Sequence, residues 1–237
     1  MTAISKPWDH KLTEFVESGI FGGPTGILNR MNISGYSRTG KTTLLNRLLK
    51  TERVTFHRAM PLDDLIGGLQ LVDGRTVWVD GPAVRCLRDG KCLQIDEANE
   101  IPAECQTMFY ALLDDPAGIT LPTGERVEAS PGYSVVTTMN PTPDCFPHPI
   151  YDRFDIYLTA DRLSEGTRKA LGRFANNADA VVGYNQPKLD WKRPASVNAF
   201  LAAAKMQQRG ISNEKIAEVL GWEGKDRTDF LLAASAR

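Results

Sequence analysis

The chain has 237 residues, of which 42% are hydrophobic and 24% charged, with a formal net charge of −1. That length supports one large domain, or a medium domain with a small one, around a core that needs no staples. The near-neutral balance excludes a general electrostatic drive toward nucleic acid or membranes, and no apolar run is long enough to span a bilayer.

The first residues lack the charged start and apolar core of a secretion signal. A helix is predicted over 11–18, then a glycine-rich turn over 22–26. Residues 27–33, apolar at 27, 28, 31 and 33, read as a short strand. After a glycine loop, leucines at 44, 45, 48 and 49 lie on one face of a helix over 43–50. A short strand is expected at 53–57 and a brief helix at 63–69. Two extended runs over 71–79 flank Asp73-Gly74, a strong hairpin signal. A helix over 83–89 has Gly90 placed to stop it. Residues 91–95 read as a buried strand and 104–113 as an amphipathic helix. A second hairpin is predicted over 119–127, turning at Pro122-Thr123-Gly124, and 133–138 is a β-branched strand. Strands alternating with helices imply a mainly parallel sheet covered on both faces. Beyond about residue 163 only helical periodicity remains, over 164–177, 195–208 and 213–220. The chain therefore divides into an α/β core at 1–162 and a small helical domain at 163–237. The cysteines (Cys86, Cys92, Cys105, Cys145) lack C-x-x-C spacing, and Cys86 and Cys92 read as reduced core residues of a cytoplasmic protein. His10, His57 and His148 make no recognisable metal set.

Residues 35–42 fit G-x-x-x-x-G-K-[ST] at every fixed position. A loop closed by Gly35 and Gly40 can turn its backbone N–H groups inward around an anion. Lys41 then reaches the outer phosphates and the Thr42 hydroxyl can ligate Mg²⁺. The candidate nucleotide contacts are Gly35, Tyr36, Ser37, Arg38, Thr39, Gly40, Lys41, Thr42 and Thr43. Strand, glycine loop and helix in succession distinguish this loop from an ordinary glycine turn.

A phosphate loop alone leaves kinases, GTPases, transporters and motors open. Three further elements narrow the choice. The strand leading to Asp96 and Glu97 ends in two carboxylates, where parallel sheets bind ligands. Asp96 can hold the metal's water shell, and Glu97 can orient or deprotonate an attacking water; the alternative is a solvated acidic loop. Asn140, ending the strand at 135–140, can polarise the water or terminal phosphate through its amide, although Asn-Pro also starts turns. Arg153 is either a surface cation or, in an oligomer, a group that reaches a neighbour's site.

Together these residues resemble the AAA+ ATPases, in the MoxR-like and dynein-related (midasin-type) branch, from about residue 27 to 230. The segments specific to the branch are 64–68, 80–82 and 87–90 ahead of the acidic strand, then 121–126, 138–141 and 152–154. The resemblance implies a P-loop NTPase parallel sheet with a small C-terminal helical lid. It also implies Walker A at 35–42, Walker B at Asp96, catalytic Glu97, sensor 1 at Asn140 and an arginine finger at Arg153. The hairpin at 72–79 looks like the branch's helix-2 insert, and 119–127 like its pre-sensor hairpin. Two departures stand out. Tyr36 and Arg38 replace the family's usual small residues, and Arg38 adds a charge beside the loop. Arg193 is the position offered for sensor 2, yet Pro194 sits where the pattern often puts the arginine; a surface cation is the alternative.

What the resemblance implies is ATP hydrolysis with Mg²⁺ between subunits of a ring, usually hexameric, that remodels protein complexes. A von Willebrand factor A domain protein is a partner class common in this branch. Arg75 and Trp78 on the first hairpin either contact a substrate or, for Trp78, pack under the adjacent helix. The alternative is a nucleic-acid-handling ATPase, such as a loader or restriction-type motor, because 210–222 has a helix-turn-helix flavour. Few basic residues accompany it, so nucleic acid is not favoured. A third reading is an assembly protein that binds ATP and barely turns it over.

Overall fold

The computed structural model describes residues 6–24, 26–140, 148–176, 178, 197–220 and 228. Arg193, Cys145 and Trp222 lie outside the described residues. The chain divides into two compact units, one of residues 1–35 and 42–159 and the other of 36–41 and 160–237.

The first unit opens with α1 (Trp8–Glu17) and continues through β1 (Arg30–Gly35), α2 (Lys41–Leu48) and β2 (Thr51–Thr55). Then follow α3 (Asp63–Ile66), the hairpin β3 (Gly67–Val72) and β4 (Arg75–Asp80), α4 (Pro82–Asp89) and β5 (Cys92–Asp96). A 3-10 turn at Ala98–Glu100 leads to α5 (Ala103–Leu113), the small hairpin β6 (Gly118–Thr120) and β7 (Arg126–Glu128), and β8 (Ser134–Met139). The unit closes with α6 (His148–Tyr151) and β9 (Ile156–Ala160). Five of the strands form one sheet in the order β2-β5-β8-β1-β9. β2 with β5, β5 with β8 and β8 with β1 all pair in parallel. Parallel pairing puts the carboxyl ends of β1, β5 and β8 on one edge of the sheet, and with them Gly35, Asp96 and the residue after β8, Asn140.

Every residue of β5 and β8 is buried, as expected of inner strands covered on both faces. The core on the α5 side includes Leu93, Ile95, Val135, Phe109 and Leu112, each fully buried. Phe56 meets Phe109 edge-on at 5.7 Å, a favoured aromatic geometry. Cys86, Cys92 and Cys105 are buried free thiols. Burial pushes Cys86 up to about 12 and Cys92 up to about 11, so both stay protonated core residues.

Two expected boundaries move, each for a local reason. β1 starts at Arg30, because the backbone N–H groups of Ile27 and Leu28 both donate to Ile20. The helix expected at 63–69 ends at Ile66, since Gly67 takes φ 98° and turns the chain into β3. Trp78 packs against the main core and donates its Nε1 to Asp80 at 2.8 Å. The hairpin turns at Asp73 and Gly74, both at positive φ, and Gly90 ends α4 in the left-handed conformation.

The second unit contains α7 (Glu165–Leu171), a 3-10 turn at Gly172–Phe174, and the helices Val197–Gln208 and Asn213–Val219. Ser164 caps α7 and Ser212 caps the helix Asn213–Val219, each accepting from the N–H three residues on. Leu163, Leu171, Phe174, Phe200, Ala203 and Ile216 form its buried cluster.

Candidate active site

The acidic strand delivers Asp96 and Glu97 in different ways. Asp96, the last residue of β5, is 3% exposed, and a carboxylate that buried requires partners. Its Oδ1 accepts from Thr138 Oγ1 at 2.7 Å and from Gln94 Nε2 at 3.1 Å. Its Oδ2 accepts from Thr42 Oγ1 at 3.4 Å and lies 2.6 Å from Arg53 Nε. Neutral donors therefore fix one oxygen, while the other faces the Thr42 hydroxyl and a guanidinium. Thr42 and Asp96 offer hard oxygen donors of the kind Mg²⁺ prefers, and the Arg53 contact shows that this face of Asp96 accepts positive charge. The donor set fits a hydrated magnesium ion.

Glu97 breaks out of the strand at φ 54°, a left-handed conformation that costs a side chain with a Cβ on the order of 1–2 kcal/mol. The turn redirects Glu97 away from Asp96's network. Its Oε2 accepts from Asn140 Nδ2 at 3.1 Å. The two residues placed by sequence on separate strands thus meet at the same edge of the sheet.

Arg153 lies elsewhere, in the turn between α6 and β9. Its Nε donates to Asp114 at 2.7 Å, its Nη1 to the Pro149 carbonyl at 2.7 Å, and its guanidinium lies 4.8 Å from the Tyr110 ring centre. Among the described residues its partners come from the end of α5 and from α6, and about a third of its side chain is exposed.

The loop residues 36–41 belong to the second unit. Arg38 at φ 68° and Gly40 at φ 103° bend it sharply. Gly40 is required there twice over: a Cβ would lie 2.3 Å from Ser164 Oγ and 2.6 Å from Thr167 Oγ1. The Thr39 carbonyl accepts from the Ser164 N–H at 2.8 Å. Lys41 Nζ donates to the Tyr36 carbonyl at 2.8 Å. Tyr36, a departure from the family pattern, packs against the helical unit's apolar cluster. Arg38 and Ser37 are exposed at the loop's tip, and Thr43 is exposed on α2.

Sequence reasoning missed Arg53, Thr138 and Gln94 as partners of Asp96. One signal was available for Arg53: a cation inside a β-branched strand, two residues from its end.

Residues 33–154 match the AAA domain family, dynein-related subfamily. Over 89 residues the chain is 37% identical to Protein NorQ of Paracoccus denitrificans, spanning 37% of this chain and 33% of that one. Over 144 residues it is 30% identical to the denitrification regulatory protein NirQ of Stutzerimonas stutzeri, 58% of this chain and 46% of that one. Midasin of Giardia intestinalis is 30% identical over 118 residues, 46% of this chain and 2% of that one. The chain thus spans less than half the length of these curated relatives. A proposed ATPase from Cytophaga hutchinsonii shares the fold with a TM-score of 0.51 at 18% identity, over 84% of this chain and 56% of that one.

Proposed function

We propose, from the premise that this chain belongs to the AAA ATPase family in its MoxR-like, dynein-related branch, that it hydrolyses ATP at the subunit interfaces of a ring and uses the energy to remodel protein complexes. The observation that carries the reading is the pairing of functions along one sheet edge: Thr42 with Asp96 at 3.4 Å, and Asn140 with Glu97 at 3.1 Å.

In this reading the backbone N–H groups of the loop and the Lys41 ammonium bind the phosphates. Thr42 and Asp96 hold magnesium, which when bound neutralises charge on the outer phosphates. Glu97 accepts the proton of the attacking water, and Asn140 holds the Glu97 carboxylate in the direction of attack. Arg153 acts from the neighbouring subunit, completing each site only in the assembly. Arg193 is the sensor 2 candidate, in a helical lid formed by residues 163–237. A cytoplasmic location and a von Willebrand factor A domain partner belong to the same proposal. NirQ is by name a denitrification regulatory protein; for this chain we take the client to be another protein.

Glu97→Gln tests the chemistry. Phosphate release should fall about 10²- to 10⁴-fold, the contribution of a general base, while binding of ATP with Mg²⁺ is kept. Equal rates in both proteins would remove Glu97 from the reaction. The ATP-locked variant should also retain a client in a pull-down that the wild type releases.

A further inference from the structure

We propose that Arg53 is a built-in competitor of the divalent cation: it holds the metal-facing oxygen of Asp96 and yields it when a nucleotide–metal complex arrives. This rests on the reading of Thr42 and Asp96 as the pair that holds magnesium.

Strand register brings Arg53 to Asp96. Arg53 on β2 stands opposite Gln94 on β5, and Thr55 opposite Asp96. Side chains two apart on a strand share a face, so Arg53, Gln94 and Asp96 project to the same side of the sheet. Val54 and Phe56 point the other way, into the core. β2 is an edge strand, which leaves the Arg53 side chain 48% exposed against 5% for that of Asp96. The guanidinium can therefore swing into solvent without opening the core, whereas the carboxylate cannot leave.

The two oxygens of Asp96 are used unequally. Thr138 and Gln94 fix Oδ1. Oδ2 receives Arg53 at 2.6 Å and is also the oxygen that meets Thr42, the hydroxyl assigned to the metal. A divalent ion and a guanidinium cannot share that oxygen without strong repulsion at such short range. A metal ion alone must displace a tethered cation and gains only one buried carboxylate. A nucleotide–metal complex adds phosphate contacts that offset the displacement. Arg53 thus makes occupancy of the metal position conditional on nucleotide, a coupling between two ligands.

The test titrates a fluorescent ADP analogue into the full chain, in Mg²⁺ and in excess EDTA, for wild type, Arg53→Gln and Arg53→Lys. ADP avoids turnover. Arg53→Gln should bind the analogue about tenfold more tightly in Mg²⁺, a typical coupling between sites, with affinity in EDTA unchanged. Mn²⁺ titrated in the presence of ADP and followed by electron paramagnetic resonance should half-saturate at about a tenfold lower concentration in Arg53→Gln. Arg53→Lys, whose compact ammonium cannot reproduce the guanidinium contact, should lie between. Equal affinity of all three proteins in Mg²⁺ would overturn the proposal. So would a loss of affinity that is the same with and without metal, which would make Arg53 a phosphate ligand. If circular dichroism shows Arg53→Gln unfolded, Arg53→Lys decides by the same comparison. A wild type that binds no analogue under either condition would instead bring down the nucleotide reading of the site.

Discussion

Asn140 touches Glu97 through a single hydrogen bond, Nδ2 to Oε2 at 3.1 Å, and Glu97 is held at φ 54°. A backbone in that conformation persists only where its surroundings fix it, and among the described residues Asn140 is the side-chain partner of the Glu97 carboxylate. If Asn140 works through Glu97, Asn140→Ala should lower kcat about 100-fold, the loss typical of one removed donor, and leave ADP affinity intact. In a Glu97→Gln background the same change should cost almost nothing further, because residues acting as a unit are not additive. Losses that multiply would give Asn140 a role of its own, on the phosphate or the water. The pair also marks the reach of the sequence. Each member was legible as a polar residue ending a strand; their contact was not, because it depends on β8 lying beside β5. Arg53 stood out as a cation in a strand, but its partner was hidden for the same reason. Nothing near it in the chain explains a cation in that strand, and its partner is 43 positions away by number and one strand away in space.

At the scale of elements, the runs rich in β-branched residues and the Asp73-Gly74 turn are local signals, and they land where expected. What local pattern leaves open is how strands are anchored to one another. Asp155, just before β9, is the clearest anchor. It accepts from the backbone N–H groups of Asn29 and Arg30, each at 3.0 Å, and from the Arg30 guanidinium at 3.1 and 2.7 Å. Arg30 also donates to the Leu113 carbonyl at 3.1 Å, so one ion pair ties β9, β1 and the end of α5. Burial pushes the Asp155 carboxyl up, but the Arg30 and backbone hydrogen bonds outweigh it and hold the carboxyl below its ordinary value. A depressed carboxylate stabilises the fold above the unfolded value and loses that contribution as pH falls. Asp155→Ala should therefore cost about 2–3 kcal/mol near neutral pH, read from urea midpoints. The gap from wild type should narrow as pH drops below about 4. A gap independent of pH would mean that packing, and not the charge, is what Asp155 contributes.

At the scale of the whole molecule, Arg153 raises the question of what completes the site. Within its own chain it is bound to Asp114, to the Pro149 carbonyl and over the Tyr110 ring. Its side chain is about a third exposed, enough for a guanidinium to reorient toward a neighbour, and exposed ion pairs such as that with Asp114 contribute little to hold it back. If Arg153 serves the adjacent subunit, hydrolysis per chain should rise with protein concentration as the ring forms, and Arg153→Ala should abolish it, by about 10³-fold or more for an arginine finger. The decisive arrangement mixes two inactive proteins. In a ring of Arg153→Ala and Glu97→Gln subunits, some interfaces combine an intact Glu97 from the first with an intact Arg153 from the second. Such mixtures should recover a measurable share of the wild-type rate, and only at concentrations where sedimentation shows an assembly. Recovery is impossible if Arg153 and Glu97 must belong to one chain, so a mixture as inert as its parents, in an assembly shown to contain both, would confine Arg153 to the structural role it has beside Asp114.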